Sequence, residues 1–302
     1  MLCIVGPTAC GKTSFAVEAA KLIRGLKKPD GSPKFTDAEI ISADSRQVYR
    51  GMSIGTGKDL EEYGDIKYHL IDIAEAGEKY NLFRYKHDFK KVYADIVSRG
   101  AFPILCGGSG LYIEAVCKDY VLKEVQPNAA LRLELEDKSL DELKEMLIKI
   151  KADKGERPHN DTDFDTKKRA IRAIEIAMAQ NDVETIPATE AGLVPKRFKI
   201  IGLNPERNLR NERIDKRLSL RLQSGMIEEV RALLDKGIAP EDLIYYGLEY
   251  KFVTQYLQGL FDYDYMKEHL AIAIHQFAKR QMTWFRGMEK RGLEIEWIET
   301  TE

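Results

Sequence analysis

The chain has 302 residues, of which 44% are apolar and 32% are charged. That length suffices for one large or two medium domains with a buried core. The formal net charge of −2 gives no overall attraction to nucleic acid, so a polyanionic partner would have to bind a local basic patch. There is no apolar run of about 18 residues and no signal-peptide pattern, so we expect a cytoplasmic protein without membrane contact.

The four cysteines lie in or beside apolar runs: Cys3, Cys10, Cys106 and Cys117. None has the spacing of a metal-binding pair such as C-x-x-C. We therefore expect reduced, mostly packed thiols rather than disulfides or metal ligands.

Short apolar segments alternate with helical patterns in the first part of the chain, and glycine turns follow several of the apolar segments. This alternation predicts an α/β fold with a parallel sheet covered by helices on both faces, which binds ligands at the carboxyl ends of its strands. The predicted strands are 1–5, 38–45, 68–73 and 102–110, and the predicted helices are 13–26, 82–100 and a segment starting at Leu111.

The middle of the chain is charged and shows no strand pattern, which predicts a helical insertion domain over 126–195. The core domain is then 1–125 together with 196–302. The insertion fits helices at 128–137, 139–151 and 163–180. The returning part of the core fits strands at 197–205 and 293–299 and helical segments at 206–236, 241–259 and 263–288.

A phosphate-binding loop follows the first strand. The pattern G-x-x-x-x-G-K-[ST] is matched by Gly6, Pro7, Thr8, Ala9, Cys10, Gly11, Lys12 and Thr13. A strand precedes it and a helix follows it, as this motif requires. Backbone N–H groups and the helix N-terminus attract an anion, Lys12 supplies a mobile positive charge, and the Thr13 hydroxyl can bind Mg²⁺. These features predict a P-loop NTPase-like core.

Other parts of a nucleotide hydrolase are missing from the sequence. No apolar strand ends in the carboxylate that usually completes the Mg²⁺ site, and Asp72 in "HLIDI" is only a partial match. The guanine-reading N-K-x-D pattern is also missing. A small-molecule kinase remains open, because many kinases lack the complete second motif.

Asp44 follows the second predicted strand and therefore lies at the same sheet edge as the phosphate loop. A carboxylate in that position can act on whatever attacks a phosphate-bearing substrate. Position alone also allows a turn or helix-capping role, which is common for Asp followed by Ser.

Five segments together resemble the tRNA dimethylallyltransferase family: "GPTACGKTS", "SADSRQVYRGMSIGTGK", "YHLIDI", "LCGGSGLYIEAV" and "QFAKRQMTWFR". They occur in the family's order and extend from Gly6 to Arg286. The second segment is long and specific.

The resemblance implies that the loop holds the diphosphate of dimethylallyl diphosphate as a leaving group. The dimethylallyl group would be transferred to N6 of the adenosine at tRNA position 37, next to the anticodon. Asp44 matches the family's base for the N6 proton, and Lys12, Thr13 and Mg²⁺ would neutralise the departing diphosphate. Transfer of this kind needs no NTPase machinery.

The resemblance also implies contacts from further side chains. Arg217 matches an arginine that binds the diphosphate. The tRNA contacts implied are Asp44, Ser45, Arg46, Gln47, Ser109, Lys168, Arg169, Arg172, Lys279, Arg280 and Gln281. The residues alone leave other roles open: a helix cap for Ser109, a solvated basic face for 168–172, a surface stripe for Arg217 and core packing for part of 276–286.

Three positions depart from the family pattern. His275 and Gln276 stand where a hydroxyl residue and arginine are common, and Glu249 stands where many members have glycine. "RPHNDTDF" (157–164) resembles H-P-N-D with a shifted proline.

The alternatives are prenyl transfer to a free adenine nucleotide, a P-loop kinase and a non-catalytic RNA-binding module. We expect the protein to act as a monomer.

Overall fold

The computed structural model describes residues 1–122, 125–154, 166–179, 195 and 197–300. The chain divides into two compact units. One comprises Met1–Tyr120 and Leu193–Glu302, and the other comprises Val121–Gly192.

The first unit contains a parallel sheet whose strand order is β3-β2-β4-β1-β5-β6. The predicted parallel α/β fold is therefore confirmed. Its strands are β1 Leu2–Val5, β2 Ala38–Ser42, β3 Tyr68–His69, β4 Phe102–Gly107, β5 Lys199–Pro205 and β6 Ile295–Thr300.

The helices of both units are α1 Lys12–Arg24, α2 Leu82–Ser98, α3 Gly110–Cys117, α4 Ala129–Glu136, α5 Leu140–Asp153, α6 Lys167–Met178, α7 Arg207–Gln223, α8 Met226–Asp235, α9 Pro240–Tyr245, α10 Leu248–Leu257 and α11 Tyr263–Lys290. Within the described residues, no helix is both long enough and apolar enough to cross a bilayer.

Strand β1 lies in the middle of the sheet, with Cys3 opposite Leu105 of β4 and Ile200 of β5. Successive side chains of a strand point to opposite faces. Cys3 and Val5 accordingly pack into one core cluster and Ile4 into the other. Helices cover both faces, which explains why the strand reads as an unbroken apolar run.

The phosphate loop follows β1, and the helices that follow β1 and its neighbour β4 pack on opposite faces of the sheet. Helix α1, which follows β1, packs through Ala16 and Ala20 on one face of the sheet. Helix α3, which follows β4, packs through Ile113 and Val116 on the opposite face. Two adjacent parallel strands whose helices leave to opposite faces create a crevice at their carboxyl ends.

One predicted strand is shorter than expected, and two predicted helical segments are divided. The predicted strand 68–73 ends after His69, because Leu70 (φ 62°) and Asp72 (φ 55°) adopt left-handed backbone. Gly225 (φ 98°) separates α7 from α8 within the predicted helical segment 206–236. Gly247 (φ 139°) divides the segment 241–259 in the same way. Left-handed backbone ends regular elements because it reverses the chain direction.

Helices α4, α5 and α6 form the described part of the second unit. They share a small core of Leu135, Leu143, Leu147, Ala170 and Ile174. Two of the sequence predictions reach beyond the described residues: "RPHNDTDF", and the ends of the predicted helix 163–180.

Candidate active site

The phosphate loop joins β1 to α1. Ala9 (φ 61°) and Gly11 (φ 79°) adopt left-handed backbone, so the chain curls within a few residues. The Lys12 ammonium donates to the carbonyl of Pro7 at 2.6 Å and contacts Cys10 Sγ at 3.6 Å, so it folds back over the loop. A Cβ on Gly6 would lie 2.7 Å from both Cys10 Sγ and the Leu203 carbonyl, which explains the need for glycine.

Gln281 of α11 connects this loop to the loop after β4. Its Oε1 accepts from the Thr8 backbone N–H at 2.8 Å, and its Nε2 donates to the Gly108 carbonyl at 3.0 Å. The side chain is only 9% exposed. A single buried amide therefore holds two loops at the sheet edge.

Arg217 of α7 reaches the same loop and donates to Thr8 Oγ1. Burial lowers the pKa of this guanidinium to about 10, and the positive charge of Arg221 contributes to the decrease. Arg217 is thus a partly buried cation beside the phosphate loop. Such a charge interacts more strongly with a bound anion than a solvated charge does.

Asp44 begins the loop after β2. Its Oδ1 accepts from the Arg46 backbone N–H at 2.9 Å, which forms a side-chain turn. The next residue donates through its backbone, from Ser45 N–H to Ser109 Oγ at 3.0 Å. Ser109 therefore links the Asp44 loop to the loop after β4.

Close backbone contact brings these two loops together. A Cβ on Gly107 would lie 2.2 Å from the Ala43 carbonyl oxygen, so only glycine fits. That carbonyl accepts from the Ser109 backbone N–H at 3.1 Å. Gln47 closes the loop from the other side by donating to the Gly57 carbonyl at 3.0 Å and accepting from Ser42 Oγ at 3.2 Å.

Lys58 anchors the end of the Asp44 loop. The side chain is 1% exposed and donates to the Tyr49 carbonyl at 2.5 Å. Its ammonium also pairs with the Asp72 carboxylate. The carboxylate that partly matched a second Mg²⁺ motif is therefore paired with a buried lysine.

Cys106, at the end of β4, interacts both with the phosphate loop and with the charge of Asp44. Its thiol donates to the Lys12 carbonyl at 3.5 Å. Burial raises the pKa of this thiol to about 12, while the Lys12 charge lowers it and the Asp44 charge raises it further. The thiol thus lies at the start of α1 and responds to the charges of both Lys12 and Asp44.

Arg221, one turn after Arg217 on α7, lies in an acidic environment. Its guanidinium is 3.8 Å from Glu249 Oε1 and 3.9 Å from Asp59 Oδ2, and the side chain is 11% exposed. Burial raises the pKa of the Glu249 carboxyl, which the arginines counteract. Glu249, which departs from the family pattern, is therefore part of the arginine cluster near the loop.

The remaining predicted tRNA contacts are dispersed. Lys279 and Arg280 are exposed on α11, next to the buried Gln281. In the second unit, Lys168 and Arg169 are exposed on α6, whereas Arg172 donates to Glu175 Oε2 at 3.1 Å and to the Val125 carbonyl at 2.7 Å.

Two features of the site escaped sequence analysis. The bridging role of Gln281 was invisible because its partner Thr8 is 273 residues away. The pairing of Lys58 with Asp72 also joins residues from separate segments. The glycine-rich stretch "GGSG" did signal the close approach of backbone at 107–110.

Comparison with protein-family models matches residues 47–288 to the family described as IPP transferase. The tRNA dimethylallyltransferase 2 of Porphyromonas gingivalis is 55% identical over 303 residues, covering 99% of this chain and 93% of that protein. The tRNA dimethylallyltransferase 1 of Parabacteroides distasonis is 52% identical over 309 residues, covering 100% of this chain and 92% of that protein.

Solved structures agree with these relatives. The full-length tRNA isopentenylpyrophosphate transferase of Bacillus halodurans superposes with a TM-score of 0.68 at 32% identity, covering 99% of this chain and 89% of that chain. A eukaryotic dimethylallyltransferase acting on tRNA has a TM-score of 0.74 at 21% identity, and the match covers 100% of this chain and 74% of that chain. This second structure supports the fold. The chain therefore belongs to the IPP transferase family, whose similar members are named tRNA dimethylallyltransferases.

Proposed function

We propose that this chain transfers a dimethylallyl group from dimethylallyl diphosphate to N6 of the adenosine at tRNA position 37, releasing diphosphate. The observation that carries the proposal is a chain of hydrogen bonds that links the loops of Lys12 and Asp44 at one sheet edge. Arg217 and Gln281 bind the Lys12 loop at Thr8, Gln281 also binds Gly108, and Ser109 next to it binds the Asp44 loop at Ser45 N–H. The names of the similar proteins supply the acceptor class.

In the proposed reaction, the N6 lone pair attacks C1 of the dimethylallyl group. The C1–O bond breaks and its electron pair leaves with the diphosphate. Asp44 accepts the N6 proton, which makes the amine a better nucleophile. Lys12, Arg217 and the loop N–H groups stabilise the negative charge that develops on the leaving group.

The donor set near the loop fits Mg²⁺. The described residues contain no cluster of three or more His, Cys, Asp or Glu that would form an all-protein cage. Mg²⁺ does not need such a cage, because it binds through one or two hard oxygen ligands together with substrate phosphates and water. The Thr13 hydroxyl would supply such an oxygen, and the ion would neutralise charge on the diphosphate when bound.

The adenosine must leave its base stack before Asp44 can reach N6. We propose that exposed cations of both units, including Lys168, Arg169, Lys279 and Arg280, bind the tRNA phosphates. We further propose that the enzyme works as a monomer in the cytoplasm.

Mass spectrometry of tRNA nucleosides tests the proposal directly. Purified protein is incubated with unmodified tRNA, dimethylallyl diphosphate and Mg²⁺, and the digest is searched for an adenosine carrying one added C5H8 group. A parallel reaction replaces tRNA with AMP, ADP or ATP, and another replaces dimethylallyl diphosphate with ATP.

We expect the added group on tRNA and not on the free nucleotides, and mass spectrometry of ribonuclease fragments of the same tRNA should place it at position 37. Modification of the free nucleotide instead would assign the chain to nucleotide prenylation. Release of ADP from ATP would assign it to the kinases. RNA binding without either product would leave a non-catalytic RNA-binding module.

A further inference from the structure

Tyr245 is an exposed aromatic ring beside the Asp44 loop. It is the last residue of α9 and is 49% exposed. The Arg46 guanidinium lies over its ring, 5.4 Å from the centroid. Single exposed hydrophobic residues are common on proteins, so exposure alone indicates nothing.

The neighbouring tyrosine shows what a structural role looks like here. Tyr246 is 1% exposed and packs on Tyr49 with 4.3 Å between ring centroids. Its hydroxyl accepts from the Gly77 N–H at 2.6 Å and donates to the Glu78 carbonyl at 2.8 Å. In the described part of the chain, Tyr245 makes no hydrogen bond through its hydroxyl. Burial and hydrogen bonding thus account for Tyr246, whereas Tyr245 only touches the edge of the Tyr246 ring, with 6.0 Å between centroids, and remains half exposed.

The Arg46 side chain also lacks polar partners. Within the ranges that the structure describes, its guanidinium forms no ion pair and no side-chain hydrogen bond. Its backbone is nevertheless fixed, since its N–H donates to Asp44 Oδ1 at 2.9 Å. A planar cation without a counter-ion therefore lies over the Tyr245 ring, two residues after the proposed base.

The Tyr112 hydroxyl is influenced both by Asp44 and by the Arg46–Tyr245 pair. Burial raises the pKa of the Tyr112 hydroxyl, with contributions from Tyr49, Arg46, Tyr245 and Asp44. Of these, Arg46 lowers the pKa and the others raise it. The proposed base and the Arg46–Tyr245 pair thus lie around one buried hydroxyl.

We propose that the Arg46–Tyr245 pair is a stacking platform for an unpaired RNA base that flanks the target adenosine. This inference rests on the proposed function. Extrusion of the adenosine from its stack leaves a neighbouring base without a partner. Aromatic rings and guanidinium planes are the groups on which proteins stack unpaired RNA bases. The unneutralised charge of Arg46 also suits the adjoining phosphodiester.

Equilibrium binding of a synthetic anticodon stem-loop RNA provides the test, because it does not depend on turnover. We expect Tyr245→Leu to weaken binding about tenfold, since stacking on one aromatic residue is worth roughly 1–3 kcal/mol. Tyr245→Phe should bind as tightly as the wild type, because the ring is retained. Arg46→Lys should weaken binding by a smaller factor than Tyr245→Leu does, because lysine lacks the planar face. Tyr265→Leu is the matched control, since Tyr265 is a 46% exposed tyrosine that stacks on His269.

A second arm removes the RNA base. The RNA is made abasic at each position flanking the adenosine, and each RNA is measured with the wild type and with Tyr245→Leu. At one of these positions, removal of the base should weaken binding by the wild type about as much as Tyr245→Leu weakens binding of the intact RNA. At that same position, removal of the base should not weaken binding by Tyr245→Leu any further. Equal abasic losses in both proteins at every position would overturn the proposal.

The KM for dimethylallyl diphosphate separates this role from a prenyl pocket. We expect it to change less than about twofold in Tyr245→Leu. A rise in that KM with unchanged RNA binding would instead place the ring against the isoprenoid and overturn the stacking role. Absence of transfer by the wild type would contradict the proposed function, while the binding cycle would still decide the stacking role.

Discussion

At the scale of single residues, Asp44 is oriented before any substrate binds. Oδ1 is engaged by the Arg46 N–H. In the described structure Oδ2 has no hydrogen-bond partner, which leaves one oxygen for the role proposed above. If Asp44 is the base, a side chain held this way needs little reorganisation when the acceptor binds.

Asp44→Asn should separate proton removal from loop structure. Asparagine retains an oxygen that can accept from Arg46 N–H, but it cannot take the N6 proton. We expect kcat for transfer to fall about 10²–10⁴-fold, with the Kd for tRNA and the melting temperature nearly unchanged. Single-turnover kinetics with saturating tRNA measures the effect. A decrease in kcat smaller than about fivefold would mean that another group accepts the proton.

Gln281→Met tests the amide that joins two loops. Methionine matches glutamine in length but leaves the Thr8 N–H and the Gly108 carbonyl without their partner. Each unpaired buried group costs about 1–3 kcal/mol, so with two such groups we expect the free energy of unfolding to fall by about 2–6 kcal/mol. Urea denaturation measures it. Gln276→Met, at an exposed position of the same helix, should change stability by less than about 0.5 kcal/mol.

At the scale of elements, α7 and α11 complete a site that begins at β1. Arg217 of α7 and Gln281 of α11 both contact Thr8. Neither helix is adjacent to the phosphate loop in sequence. Two helices from the C-terminal part of the chain therefore hold a loop that lies near the start of the sequence.

Sequence patterns predicted these elements well because buried parallel strands are apolar throughout and helices show their own period. They missed the end of β3 because left-handed backbone at Leu70 and Asp72 leaves no signal in an apolar run. They placed Lys12 and Asp44 in the loops after β1 and β2, because those positions follow from local motifs, and the catalytic roles of the two residues stay predictions. They could not identify the bridge by Gln281, which depends on how distant segments meet.

In the second unit, Glu175 joins α4 to α6. The carboxylate is 3% exposed and accepts from Arg132 Nε at 2.7 Å and Nη2 at 2.9 Å. Burial alone would raise its pKa, but the bonds from Arg132, Asn128 N–H and Arg172 lower it from 4.5 to about 2. The lowered pKa means that the ionised carboxylate stabilises the folded unit.

The sign of this effect sets its pH dependence. Since the folded-state pKa is lowered, the stabilisation is present above the unfolded value of 4.5 and disappears as pH falls towards about 2. The shift corresponds to about 3 kcal/mol. We expect Glu175→Gln to speed amide exchange in α4 and α6 strongly at pH 7 and much less near pH 3, with both proteins compared at each pH. Glu134→Gln, exposed on α4, should leave exchange unchanged; an equal increase in both variants would exclude the ion pair as the cause.

At the scale of the whole molecule, charge distribution matters more than net charge. The sum of −2 predicts no overall attraction to a polyanion. Exposed cations occur in both units, however, with Lys168 on α6 and Lys279 on α11. Affinity for a nucleic acid depends on how many phosphates are contacted, because each contact releases bound counterions.

The salt dependence of tRNA binding should reveal which unit contributes. We expect log Kd for tRNA to rise linearly with log[KCl], and Lys168→Gln and Lys279→Gln each to reduce that slope by about 1 if each lysine contacts one phosphate. Lys149→Gln, exposed on α5 of the second unit, is the matched control and should leave the slope unchanged. Fluorescence anisotropy with labelled tRNA between about 50 and 200 mM KCl covers the useful range. If Lys279→Gln lowers the slope while Lys168→Gln does not, the helical insertion does not bind the RNA backbone through α6, and the predicted role of 168–172 is wrong.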